Sequence, residues 1–142
     1  MTPVLVFDIE TIPDCDGLRK LYELPAELPD AEVAEVAFQK RRARANGSDF
    51  LPPHLHRIIA IACVLREGES VQVFSIAEPE RKEPAIIQKF FDGVDKYIPQ
   101  LVSWNGTGFD LPVLAHRGLL CGICATKYWD QGDDDRDFLA VD

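Results

Sequence analysis

Val4-Leu5-Val6-Phe7 is an unbroken apolar run that passes straight into Asp8-Ile9-Glu10-Thr11, where an apolar residue separates two acids. Its Val and Phe content, with Pro13, Asp14, Asp16 and Gly17 close behind, predicts a buried strand that ends in a turn. Residues 57–65 form a longer apolar run and predict a second strand. Residues 66–69 read as a turn. Residues 70–76 alternate Val71, Val73 and Ser75 with Gln72, Phe74 and Ile76, the pattern of a hairpin return strand. The second strand is predicted to be central and the third an edge. The period then changes. Over residues 83–98, Ile87, Phe90, Phe91, Val94 and Ile98 fall on one helical face, with Pro84 in the first turn and Pro99 as terminator. Residues 100–104 predict a short strand, 105–109 a glycine-rich turn, and 110–120 a helix beginning at Asp110. The strand, helix and strand make a crossover unit, so the first and fourth strands are predicted to be parallel neighbours.

Between the first two strands, residues 12–56 read as a surface insertion broken by Pro13, Pro25, Pro29, Pro52 and Pro53. Within it, residues 30–38 predict a helix with Asp30 as N-cap and an apolar stripe of Val33, Val36 and Ala37. Lys40-Arg41-Arg42-Ala43-Arg44 follows, and Asn46-Gly47 stops the helix. The cations suit the helix dipole and need no ligand to explain them; a phosphate-contacting arm is the functional alternative. Residues 127–142 are aromatic and acidic and predict a solvated, partly disordered end. With 142 residues, no repeat and no linker, one domain is expected over residues 1–142.

Composition adds exclusions. The chain is 46% hydrophobic and 27% charged, ordinary for a globular protein, and no apolar run approaches the length of a membrane span. No basic segment followed by an apolar stretch opens the chain, so a cytoplasmic location is expected. The formal charge of −9 argues against bulk electrostatic binding to nucleic acid, but not against an enzyme that grips only a strand end. Of four cysteines, Cys121 and Cys124 form a single C-x-x-C with only His116 nearby, too few ligands for zinc; buried or bystander thiols are expected.

The candidate chemistry lies in the acids. Along a strand Asp8 and Glu10 point the same way, roughly 6–7 Å apart at their Cα atoms. Such a pair is costly unless something neutralises it, and hard oxygen ligands on a rigid strand suit Mg²⁺ or Mn²⁺. An acid pair where a strand simply emerges into water is the plainer alternative. Asn105 and Asp110 arrive on the turn after the fourth strand. In open α/β sheets ligands sit at the carboxyl ends of strands, so three carboxylates would converge there if strands one and four are adjacent. Alone, Asp110 could equally be a helix N-cap.

Phe7-Asp8-Ile9-Glu10-Thr11 resembles the first motif of the DEDD superfamily of 3′–5′ exonucleases, and residues 103–114, Ser-Trp-Asn-Gly-Thr-Gly-Phe-Asp-Leu-Pro-Val-Leu, resemble the second. The wording is most similar to the predicted exonucleases related to the proofreading domain of family B DNA polymerases. The resemblance implies a ribonuclease H-like mixed sheet, strands one to three antiparallel and strand four parallel to strand one, with flanking helices. It implies two-metal hydrolysis, with Mg²⁺ or Mn²⁺, of a single strand of nucleic acid from its 3′ end. Asp8 would bridge both ions, Glu10 would hold one and place the attacking water, and Asp110 would hold the second. Asn105 and Phe109 would touch the terminal nucleotide, and the main chain of Ile9 and Thr11 the terminal sugar. Metals about 3.5–4 Å apart stabilise attacking and leaving oxygens alike, which only clustered carboxylates allow.

The family's third motif, a tyrosine or histidine followed by a fourth carboxylate on a C-terminal helix, is not legible. Tyr128 and Asp130 stand too close together, and residues 133–137 lack a helical apolar face. The sequence thus reads as a member cut short at its C-terminus, without its last strand. An apolar surface exposed there would favour a homodimer. A non-catalytic nucleic-acid- or protein-binding module of the same fold, and another metal-dependent phosphotransfer enzyme, are the alternative functions.

Overall fold

A computed structural model describes residues 1–80, 82–130 and 140–141. Its centre is a mixed sheet of order β3-β2-β1-β4-β5. β1 (Val4–Pro13) pairs antiparallel with β2 (His56–Glu67), which pairs antiparallel with β3 (Ser70–Ala77). On its other side β1 runs parallel to β4 (Gln100–Val102), as the crossover argument requires. β5 (Ala140–Val141) lies parallel to β4 and adds a strand that the sequence did not reveal. These directions are those expected of a ribonuclease H-like sheet. β3 is an edge and β2 an interior strand paired on both sides, as expected, with β1 at the middle of the order.

The first strand departs from its reading as wholly buried. Leu5, Phe7 and Ile9 are buried, whereas Val6, Asp8 and Glu10 are exposed on the opposite face. A register shift between Glu10 and Thr11 lets Ile61 pair with Ile9 and Ile58 with Thr11, so both isoleucines stay in the core despite their three-residue spacing. Gly68, at φ +58°, opens the tight β2–β3 connection in a conformation that side-chain-bearing residues rarely adopt.

The inner sheet face is covered by α3 (Glu83–Tyr97) and α4 (Asp110–Leu120). Ile86, Ile87, Phe90, Phe91 and Val94 of α3 meet Leu5, Phe7, Ile61, Cys63 and Leu101, with Val113 and Leu114 of α4 in the same core. The short α5 (Thr126–Trp129) corrects the solvated reading of the tail's start, because Tyr128 is buried against Phe91, ring centroids 5.0 Å apart. The acids at 133–135 and 137 lie outside the described residues.

The segment between β1 and β2 folds into α1 (Cys15–Tyr22) and α2 (Asp30–Arg44). Leu18, Val33, Ala37, Leu51 and Leu55 form a second, smaller core there. Asp14 caps α1 by accepting from the Gly17 amide at 3.3 Å. Asp30 does not cap α2: it is the first helical residue, Pro29 is the N-cap, and its carboxylate instead accepts from Arg19 at 2.6 Å. Among the described residues no helix is long and apolar enough to cross a membrane.

Candidate functional site

β1 brings Asp8 and Glu10 to its carboxyl end on the exposed face, and β4 pairs with β1 only as far as Val6. Past that point, among the described residues, no strand lies against this edge of β1 to accept its amides. Asp110, arriving at the start of α4, fills the gap: its Oδ1 accepts the Ile9 N–H at 3.2 Å. The bond joins two segments 101 residues apart at the amide between the two acids of β1. Asp110 is therefore no helix N-cap; Phe109 holds that position without a side-chain bond.

Asp110 is only 2% exposed. Burial raises its pKa above the ordinary carboxyl value, and the charge of nearby Asp8 pushes it the same way, against the Ile9 amide. The Ser103 hydroxyl beside it also favours the charged form, though its Oγ is buried and short of a formed hydrogen bond.

The connection from β4 to α4 carries the other expected contacts. Asn105 is exposed at φ +54°, and its carbonyl accepts from the Gly108 and Phe109 amides, each at 3.0 Å. A Cβ on Gly108 would come within 2.4 Å of Asn105 Oδ1, so glycine is required for the side chain to fold back over the turn. Trp104 is 91% exposed. Phe109, half-buried, meets His56 edge-on, centroids 5.0 Å apart, and Phe50 at 5.5 Å. Thr11 reaches the same cluster, its Oγ1 3.2 Å from His56 Nδ1. The sequence reading missed Phe50 and His56, which lie in the region taken as an insertion. The remaining cations of that region are mostly engaged. Arg42 pairs with Glu35 and Asp49, Arg41 Nε donates to the Phe50 carbonyl, and Lys40 lies over the Tyr22 ring.

A buried ion-pair network fixes α4. Arg117 donates to Glu83 through Nε at 2.8 Å and Nη2 at 2.5 Å, and through Nη1 to Asp14 and to the His54 carbonyl, both at 2.7 Å. Glu83 Oε1 also accepts the Ile58 amide at 2.8 Å. Burial would lower the Arg117 pKa, but the bonds to Glu83 and Asp14 outweigh it and raise it, so the guanidinium stays charged. One guanidinium thus ties together α1, α3, α4 and the approach to β2. No short motif announces it, because its members are far apart in sequence.

The donor chemistry fits a hard divalent cation. All three candidate ligands are carboxylates, and Asp8 and Asp110 repel one another in a way that a bound cation would relieve. Among the described residues, however, no three His, Cys, Asp or Glu side chains form a ready-made metal-binding group. Cys121 and Cys124 are free thiols, one partly buried and one exposed.

A family model described as "Predicted 3'-5' exonuclease related to the exonuclease domain of PolB" matches residues 48–140. That span includes Asn105, Phe109 and Asp110, with Asp8 and Glu10 upstream of it. No curated protein matches the chain. Among solved structures, the family B DNA polymerase from the hyperthermophilic archaeon Pyrobaculum calidifontis is 22% identical over 88% of this chain and 12% of its own, with a TM-score of 0.49. Exonuclease I without ligand is 12% identical over the whole chain and 29% of its own, TM-score 0.47. An ExoI/SSB-Ct complex is 11% identical over 100% of this chain and 28% of its own, TM-score 0.47. The chain thus spans less than a third of each of these proteins.

Proposed function

Because the chain belongs to the family of predicted 3′–5′ exonucleases related to the exonuclease domain of PolB, we propose that it hydrolyses single-stranded nucleic acid from the 3′ end, with Asp8, Glu10 and Asp110 as catalytic ligands of two Mg²⁺ or Mn²⁺ ions. The observation that carries this reading is the hydrogen bond from the Ile9 amide to Asp110, which brings a carboxylate from a distant segment to the main chain between Asp8 and Glu10. When bound there, divalent cations stabilise the charge on the attacking and leaving oxygens.

The chain's own residues do the rest. The Ile9 amide holds Asp110 in one orientation, and the mutual repulsion of Asp8 and Asp110 makes the pair ready for a cation. Glu10 orients the attacking water. Asn105 and Phe109 meet the terminal nucleotide, and the main chain at Ile9 and Thr11 faces its sugar. The substrate partner is a 3′ strand end, and a second copy of the chain is the protein partner that the exposed valines of the sheet favour.

Polarity of digestion tests the reading. A single-stranded oligonucleotide labelled at its 3′ end should release labelled mononucleotide at once, whereas a 5′ label should remain on a shrinking ladder. EDTA should stop both and Mn²⁺ restore them. Internal cuts in the first minutes would contradict an exonuclease. An intact strand after prolonged incubation with Mn²⁺ would favour the binding module.

A further inference from the structure

We infer that Phe50 is a stacking face for a base at the strand end held beside Asp8, Glu10 and Asp110; the inference rests on the exonuclease reading and adds a contact to it. Phe50 is 53% exposed although it belongs to a ring cluster whose other members, His56 and Phe109, are partly buried. Its centroid lies 5.1 Å from His56 and 5.5 Å from Phe109. The exposed part of the ring offers apolar surface that a stacked base would cover.

The main chain around the ring is fixed. The Phe50 amide donates to Ser48 Oγ at 3.3 Å, its carbonyl accepts from Arg41 at 2.8 Å, and neighbouring Leu51 is buried in the smaller core. His56 links this wall to Thr11 of β1. The Leu51 carbonyl, 3.0 Å from Nε2, can only accept, so Nε2 carries the proton and Nδ1 accepts from the Thr11 hydroxyl. The Thr11 side chain lies on the strand face of Ile9, whose amide binds Asp110, and Phe109 directly precedes Asp110, so the rings stand beside the main chain that carries the acids. Beside them a cleft of about 240 Å³ is lined by Thr11, Phe38, Phe50, Leu51 and His56.

Charge points to the same occupant. A net charge of −9 argues against holding a strand by bulk attraction to its phosphates. Stacking of bases on aromatic rings supplies affinity without cations and tolerates any base.

The test is binding by the Asp8→Ala chain, which removes cleavage. Fluorescence anisotropy would compare a 5′-labelled oligothymidylate with the same strand abasic at its two 3′-terminal nucleotides. The intact strand should bind more tightly. Phe50→Ala, added to Asp8→Ala, should weaken the intact strand about tenfold and leave the abasic strand unchanged. Phe50→Trp should keep the preference, and Phe50→Leu, which keeps apolar bulk, should lose it. Equal losses for both strands, no loss for either, or no binding of the intact strand would overturn the inference. Nucleotide release by the chain with native Asp8 reports on the exonuclease reading separately. Its absence beside a Phe50-dependent base preference would remove the enzyme and keep the stacking face.

Discussion

In the proposed site, Asp110 would serve chemistry at the expense of stability. Its folded pKa is raised, so the folded state holds the proton longer than the unfolded chain does, and stability falls as pH rises from the unfolded carboxyl value through the folded one. At neutral pH its charge is a cost. Asp110→Asn keeps an acceptor for the Ile9 amide and removes the repulsion from Asp8. It should therefore stabilise the chain by about 1 kcal/mol in urea unfolding with EDTA present, while abolishing digestion; a lower urea midpoint would contradict this. The thiols follow the same logic. Burial pushes Cys63 up to about 11, whereas Cys124 is exposed. Iodoacetamide at pH 8 should modify Cys124 and spare Cys63 until the chain unfolds, as mass spectrometry of the peptides would show. Above the ordinary thiol value the unfolded chain ionises Cys63 first, so this group's contribution to stability declines as pH climbs from about 9 to about 11. His56 is lowered below 6.5 by burial, partly offset by its bond to Leu51, and should titrate below that value by NMR. Asp8, Glu10 and Asp110 could be named as candidates because short motifs carry them. Phe50 and His56 were not, because a half-exposed ring in a proline-broken stretch has no periodic neighbours to mark it.

At the scale of elements, what the sequence made legible was what repeats. The β2–β3 hairpin, α3 and α4 follow from alternation or a helical stripe, and the parallel pairing of β1 with β4 follows from the crossover. α1 escaped because Asp14, Asp16 and Gly17 read as a turn, whereas here they cap and open an eight-residue helix. β5 escaped because two residues carry no period. The Arg117 network holds these pieces in register, and its energetics are those of a buried ion pair. Arg117→Met strands the Glu83 carboxylate without its partner, so it should cost about 3 kcal/mol or more of unfolding free energy. Arg117→Met with Glu83→Leu should recover part of that loss. If the double variant is no more stable than the single one, the cost lies elsewhere, in the Ile58 amide that Glu83 also satisfies.

For the whole molecule, the open face of the sheet matters most. Val102, Val6, Val64 and Val73 form one cross-strand row on the face opposite α3, and Val73 is 79% exposed. Apolar rows of this kind favour self-association. Sedimentation should show a concentration-dependent dimer that Val73→Lys turns into monomer; a monomer at every concentration would contradict this. The same row leads toward Asp8, two residues beyond Val6 on the same face, so the acids stand at the rim of that surface. The central claim is that Asp8 and Asp110, from distant parts of the sequence, act as one hydrolytic site. Its most direct test is digestion of a 5′-labelled single-stranded oligonucleotide with Mn²⁺ by this chain, by Asp8→Ala and by Asp110→Ala. A ladder shortening from the 3′ end with the unaltered chain, absent with both variants, is the predicted result; a ladder that persists in either variant, or never forms, would contradict it.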